Sequence, residues 1–383
     1  MINLSPYTRI FGALALSSAL LFPSLPASAK TTASLDAQGV KQAIQQNLED
    51  NLYQLPPRVQ GHYGIRLYRM TGDDKYANAA LVDLYAVTES QAFYACQLDK
   101  PGFIEQEAQA AIDVLGKGPR AKARKKALAA FPEFLFYTDV LLRFSSRIDE
   151  FGLQGPCHDK LVKALKATDL KRGLTDKAMI EAWAAQLVNY VYWAKQLGVG
   201  DYVQEYKDGF NRVYPQRRDA KLDKKQFRNK IYGMTHFIFA ASEYYQHPVD
   251  RKEFAWILDY FEANMDRILK DATDDIIAEV GISFHLAGMS DNPVVKKTQA
   301  HIMAAFDPKA QTIPSPRGNP DLALGEHRNV LAMMLLDWPK TLHQGPYFHQ
   351  LKATKKYLPK LVSIKADAAK GKTDKAKSKA ETH

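Results

Sequence analysis

At 383 residues, with 46% hydrophobic and 25% charged side chains, the chain holds enough apolar material for a large core, as one big domain or two small ones, and is not a disordered sequence. Its net charge of +10 is mild and scattered outside the C-terminal tail, without the dense Lys/Arg stripe or stacking aromatics of a nucleic-acid binder, so nucleic acid is not an expected partner. Two cysteines without Cys-x-x-Cys spacing exclude a zinc ribbon or a redox motif of the thioredoxin kind.

The chain opens with "MINLSPYTRIFGALALSSALLFPSLPASAK". Arg9 precedes an apolar core, Phe11 to Phe22, and a small-residue stretch ending Ala27-Ser28-Ala29, which is the layout of a secretory signal cleaved after Ala29. The mature chain is then expected to start at Lys30 and to be periplasmic or secreted. A lone membrane anchor is the alternative, but the apolar core falls short of the roughly 20 residues a bilayer requires. No other stretch is long and apolar enough, so no transmembrane helix is expected in the mature chain.

Export bears on Cys96 and Cys157. Either they form one disulfide, closing a loop of about 60 residues at a gain of roughly 4 kcal/mol, or they are two buried thiols.

From residue 40 onward the pattern is helical, with apolar positions recurring in windows of ten to twenty residues and little strand-like alternation. "GHYGIRLYRMTGDDKYANAALVDLYAVTE" predicts a helix through Arg69, a turn at Gly72 and Asp73, and a second helix from Lys75. The stretch from Phe103 to Leu170 gives no clear assignment. A further pair spans Thr175 to Pro215 across Gly198 to Gly200. In "NKIYGMTHFIFAASEYYQHPVDRKEFAWILDYFEANMDRIL" the break is expected at His247-Pro248, with Asp250 capping the return. The next pair turns at Gly288, with Asn292 as cap and Pro293 at the first helical position. In "GNPDLALGEHRNVLAMMLLDWP", Asn319 is the expected N-cap of a helix starting near residue 320, which puts Glu326, His327 and Arg328 in its second turn ahead of a wholly apolar run, Val330 to Leu336. The Lys/Ala-rich tail from Lys365 to His383 has no large apolar residue and is expected to be a solvated tail rather than part of the fold.

In these pairs the first helix is the more apolar and the second the more charged, which predicts an inner layer wrapped by an outer one. The expected fold is therefore a single all-α domain over residues 30–364, built from helical hairpins closed into an α/α toroid, with an open α-solenoid as the alternative.

The turn "LYRMTGDDKYANAA" is similar to the helical-hairpin turns of α/α-toroid proteins, which include carbohydrate-active hydrolases and lyases. More closely, "HYGIRLYR" with the following "TGD", "GEHRNVLAMMLLDWP" near the end and the exported N-terminus resemble an uncharacterised family of proteobacterial exported proteins, defined as a domain of unknown function. That resemblance covers nearly the whole mature chain and implies no activity and no catalytic residue.

In a toroid the inner helices run parallel, so polar groups near their N-terminal ends meet at one rim, together with several positive helix ends. The expected mouth is lined by His62, Arg66, His236, Glu279, Glu326, His327 and Arg328. Glu326, Glu279 and His236 are the candidate acid–base residues, and His62, Arg66, His327 and Arg328 the candidate binding residues. Successive helical residues point about 100° apart, so at most two of Glu326, His327 and Arg328 can serve one cavity. The plainer alternatives are core histidines at His62 and His236 and structural ion pairing of Glu326 and Arg328 with other helices. His285, His301, Tyr63, Tyr68 and Tyr232 are expected in the core, and Asp274 and Asp275 as helix caps.

No His-Glu-x-x-His, Gly-x-Ser-x-Gly or phosphate-binding glycine loop occurs, and neither a metal site nor a cofactor is expected. The reading that follows is an exported envelope protein with a polar, anion-favouring funnel, a glycan-processing enzyme of hydrolase or lyase type whose partner is an anionic glycan or another envelope ligand. The alternative is a non-catalytic periplasmic binding or scaffold protein.

Overall fold

The computed structural model describes residues 35–366; the expected signal segment and most of the expected tail lie outside them. Helices follow one another almost without interruption: α1 (Ala37–Asn51), α2 (Pro57–Thr71), α3 (Lys75–Ala95), α4 (Phe103–Asp113), α5 (Pro119–Leu128), a π-helical stretch (Phe136–Leu142), α6 (Arg143–Glu150), α7 (His158–Ala167), α8 (Leu170–Thr175), α9 (Lys177–Gln196), α10 (Val203–Val213), α11 (Lys224–Ala241), α12 (Ala255–Ala263), α13 (Met265–Asp271), α14 (Asp274–Leu286), α15 (Pro293–Ala305), α16 (Leu322–Leu336) and α17 (Lys352–Lys355). The described residues are all-α apart from a two-stranded antiparallel clasp, Leu153–Gln154 with Ser363–Ile364, and an isolated bridge between Asp307 and Thr312.

Local chemistry sets the helix starts. Asp176 caps α9 by accepting from the Met179 amide, Asp223 and Gln226 form a capping box on α11, and Asn292 caps α15 ahead of Pro293. The cap of α16 is Asp321, whose carboxylate accepts from Leu324 N, and not Asn319, which instead accepts from the Asp321 amide. Glu326 to Arg328 still fall in the second turn. At the other end of α2, Gly72 takes φ +69°, a conformation open to glycine, and turns the chain into α3.

Burial separates two layers. Every residue from Ile276 to Leu286 in α14, Asn329 to Leu336 in α16 and Gly233 to Ala240 in α11 is buried, whereas α15 buries only Val294, Val295, Thr298 and Ile302, one amphipathic stripe. The inner helices touch in the order α2, α16, α14, α11, α9, and α9 touches α6. The outer helices α3, α10 and α15 pack on α2, α9 and α14, and α1 packs on α16. In the first pair the backbones come close because a Cβ at Gly64 would stand 2.6 Å from Tyr76 O.

The unassigned stretch from Phe103 to Leu170 supplies α4 to α7 and the π-helical turns, whose i→i+5 spacing breaks the 3.6-residue period that sequence reading relies on. Cys96, just after α3, and Cys157, just before α7, are joined as a disulfide with Cα atoms 5.3 Å apart. Lys365, the first residue of the expected tail, is tied into the fold by an ion pair to Asp149 at 2.6 Å.

Helix α11 ends six residues before His247-Pro248. Glu243, Tyr244 and Tyr245 take φ of 51°, 56° and 75°, three consecutive left-handed residues that no helix can include. A buried guanidinium holds them there: Arg69 of α2 donates to Glu243 O at 3.3 Å and Tyr244 O at 3.0 Å, and also to Gly345 O and the Glu150 carboxylate.

Candidate functional site

Two cavities mark the two ends of the inner helices. One, of about 690 Å³, is lined by Glu181 and Ala182 of α9, Lys225, Gln226, Arg228, Asn229 and Tyr232 of α11, Asp274 to Ile276 of α14 and Arg328 of α16, all early in their helices. The other, of about 600 Å³, is lined by Tyr192 to Gln196 of α9 and Ala240 and Ala241 of α11 at their C-terminal ends, with Glu150 of α6. Helices α9 and α11 therefore run from the first cavity to the second.

A chain of ionisable groups is drawn together from four helices. His62 of α2 sets Nδ1 against the Glu326 carboxylate of α16, at 2.7 Å and 2.9 Å from its two oxygens. The other ring nitrogen of His62, Nε2, is 3.4 Å from His327 Nδ1. His327 Nε2 in turn stands 3.5 Å from Glu279 Oε1 of α14. The second Glu279 oxygen accepts from the Thr235 hydroxyl of α11 at 2.6 Å, with His236 Nδ1 3.8 Å away and bound to Tyr232 O. The order is carboxylate, imidazole, imidazole, carboxylate.

Burial sets the charge states. It pushes Glu326 up to about 8 against the pull of Arg66 and Arg58, and Glu279 up to about 7 against His236 and the Thr235 bond. Burial, reinforced by Arg66, holds His62 well below its ordinary value and brings His327 down to about 4. At neutral pH both imidazoles are thus uncharged, while the two carboxyls titrate close to neutrality, so that one can hold a proton while the other is ionised.

With neutral rings, the contacts admit two polarities. Either protonated Glu279 faces His327 Nε2, His327 Nδ1–H donates to His62 and His62 Nδ1–H donates to ionised Glu326, or every proton is moved one place and Glu326 is the acid. The chain can carry a proton from one carboxyl to the other.

Beside it, Arg66 of α2 is buried, donates to His62 O at 3.4 Å and lies 5.6 Å from the centre of the Tyr245 ring. Four buried polar atoms here have no hydrogen-bond partner among the described residues: Arg66 Nε, Tyr245 Oη, Glu279 Oε1 and His327 Nε2. Orphans of this kind are costly, so a cluster of them marks a place made for something else to bind. The His327 side chain keeps 36% of its surface accessible and His62 18%, against 1% for Glu279.

Six of the seven residues expected at the mouth, His62, Arg66, His236, Glu279, Glu326 and His327, meet in this interior cluster. Arg328 does not: its Nε donates to Ile313 O at 3.0 Å and its side chain lines the first cavity. Glu326 is bonded to His62 of a different helix, α2. Of the side chains expected in the core, His285 is stacked on Trp338, whereas His301 contacts Asp274 and Tyr232 lines the first cavity. Asp274 and Asp275 sit in the first turn of α14, where Thr273 holds the cap position. Thr235 and Tyr245 were not singled out from sequence; Tyr245 owes its place to the left-handed turn, which no local pattern announces. Among the described residues, no group of three or more His, Cys, Asp or Glu is arranged to hold a metal ion.

Fold and site together define an all-helical protein with an acid–base chain of two buried carboxyls and two partly accessible imidazoles. The chain belongs to the family described as Domain of unknown function (DUF3541), whose model matches residues 37–365. No curated protein and no solved structure matches it.

Proposed function

We propose that this protein is an exported envelope enzyme that cleaves an anionic glycan by elimination, with its inner helices closed into an α/α toroid around the site. Closure is supported by α1, which packs on α16 as the outer helix of the last inner one, while α16 also touches α2. The observation that carries the chemistry is the cluster of orphaned atoms on Arg66, Tyr245, Glu279 and His327 at the end of the proton chain.

Elimination next to a uronate carboxylate needs three things: a base for the proton α to the carboxylate, positive or donor groups for the charge that develops on it, and an acid for the leaving oxygen. Neutral His327 Nε2 is the base. Arg66 Nε–H and protonated Glu279 meet the substrate carboxylate. Tyr245, whose phenol burial keeps protonated, gives its proton to the departing glycosidic oxygen. As the C–H and C–O bonds break and C=C forms, the proton taken at Nε2 is offset by release of the Nδ1 proton to His62, which passes its own to Glu326.

The hydrolase form of the reading fits less well. A glycosidase pair must flank one bond from opposite sides with the space between left for substrate or water, whereas two imidazole rings stand between Glu279 and Glu326. The burial of both carboxylates favours a second reading, a periplasmic binding or scaffold protein that holds an anion without changing it.

The test is incubation with uronate polysaccharides, following the ultraviolet absorbance of the conjugated unsaturated uronate and product masses. Appearance of that product, abolished in His327→Ala, supports the enzyme. Saturable binding with no product over days supports the binding protein and sinks elimination.

A further inference from the structure

The positive charge that reads as scattered in sequence is concentrated in space. The first cavity carries four cations, Arg120, Lys225, Arg228 and Arg328, none with a carboxylate at ion-pair distance among the described residues. Arg228 and Arg328 spend hydrogen bonds only on the backbone carbonyls of Asp271 and Ile313. Of the three acids in the same lining, Glu181 is paired with Lys177 at 2.8 Å and Asp274 with His301 at 3.1 Å, which leaves Asp275. The cavity is therefore electropositive although its lining is mixed in composition.

Helix α5 extends this charge outward. Between Asp113 and Glu133 the sequence has no acidic residue, and "GKGPRAKARKKAL" contributes Lys117, Arg120, Lys122, Arg124, Lys125 and Lys126. Lys117, Arg120, Lys122 and Lys126 are exposed. Arg124 fixes the helix to α9, stacked 4.0 Å over the Trp183 ring and bonded to Gln186. Pro119, Arg120 and Ala123 form part of the cavity wall, so the outer lysines lie at its edge.

We propose that this cavity and α5 together form a binding cleft for a linear polyanionic polysaccharide, several residues of which are held by cations spaced from Arg328 out to Lys126. The inference rests on the elimination reading only for what happens to the chain once bound. It names a polymer, not a single sugar, as the substrate class, because the cations extend beyond the cavity along an exposed helix. A bilayer is disfavoured because the apolar residues of α5, Ala121, Ala127 and Leu128, are buried against the core, leaving no apolar face to insert. A nucleic acid would call for several exposed stacking aromatics, and Tyr232 is the one aromatic in the lining.

The test is fluorescence anisotropy with labelled oligogalacturonates, a short and a long one, on the full chain at two salt concentrations, with neutral dextran oligomers and a single-stranded oligonucleotide as comparators. The expected result is affinity that rises with uronate length, falls with salt, and drops by about tenfold or more in Arg120→Gln/Lys225→Gln with an unchanged melting temperature. Binding of the wild type that depends on uronate length and salt, with no unsaturated product formed, leaves this cleft standing while elimination fails. Equal binding of dextran, no dependence on length, or indifference to the double substitution would overturn the proposal, as would tighter binding of the oligonucleotide through the same residues. Should the double variant melt early, Lys122→Gln/Lys126→Gln, both on the exposed face of α5, serves in its place and must weaken the long oligomer more than the short one.

Discussion

His327 Nδ1 points at His62 Nε2 across 3.4 Å, with the two rings tilted 57° and their centres 5.2 Å apart. Because one ring must donate and the other accept across this contact, neither imidazole can change its tautomer without its neighbour doing the same. The pair therefore acts as one conductor, and interrupting either ring should isolate Glu326 from Glu279. His62→Ala and His327→Ala are each expected to lower elimination by about 100- to 10,000-fold, the range for loss of acid–base catalysis. Steady-state assays on purified variants check this, with KM nearly unchanged for His62→Ala. Full activity in His62→Ala would remove Glu326 from the proton path.

Stability should fall as the medium turns alkaline. Glu326 and Glu279 have folded values of about 8 and about 7 against an ordinary 4.5, so above pH 4.5 the unfolded chain gives up protons that the folded chain keeps. The contribution is fully present below 4.5 and is lost as pH rises through 7 to 8. The depressed histidines act in the opposite sense and favour the folded state as pH rises from about 4 to about 6.5. The two trends oppose one another below 6.5, and above it only the carboxyls act. Melting temperatures across this range should decline from pH 6.5 to 8 in the wild type and much less in Glu326→Gln. A parallel decline in both would show that another group is responsible.

Arg69 is a costly side chain to remove. Its loss leaves the carbonyls of Glu243, Tyr244 and Gly345 without their donor in a buried place and takes one partner from Glu150. Urea denaturation of Arg69→Met should show a loss of about 3–5 kcal/mol. Arg69→Lys should not restore it, since an ammonium cannot reproduce the planar fork. A loss under 1 kcal/mol would mean that the left-handed turn holds itself.

The disulfide closes a loop with a sequence separation of 61. Cys96→Ser/Cys157→Ser should be less stable by about 4 kcal/mol if the gain comes from restricting the unfolded chain. The measurement is the denaturation midpoint of the double variant against wild type, with the single variants as controls for local packing. No difference would place the benefit elsewhere.

Much of the helical plan was legible because the signals are local. Gly72, Gly288, Asn292 and Pro293 act within a few residues of where they stand, and the all-apolar run of α16 identifies itself as buried. The polar groups ahead of such runs, His62, Glu279 and Glu326, were likewise visible as anomalies at the entrance of apolar helices. What failed depends on distant partners. The early end of α11 is imposed by Arg69, some 175 residues away in sequence from the Tyr244 carbonyl it holds. Tyr245 is placed by that same turn. The basic residues of α5 read as part of a scattered charge, because their meaning depends on which acids near them are already paired, and that only the folded arrangement decides.

The packing of α1 on α16 has a consequence for how the molecule is made. Asn47 of α1 donates its amide to Ala310 O, 263 residues further along the chain. Until those late residues exist, the apolar face of α1, Val40, Ile44 and Leu48, lacks the helix it packs on, and α1 is held at its edge by contacts of Gln45 and Glu49 with Tyr63 and Tyr76. A contact of such sequence separation forms slowly and late. The growing chain must therefore be shielded from its own kind for most of its synthesis, and any truncation before α16 turns its first helix into a sticky end.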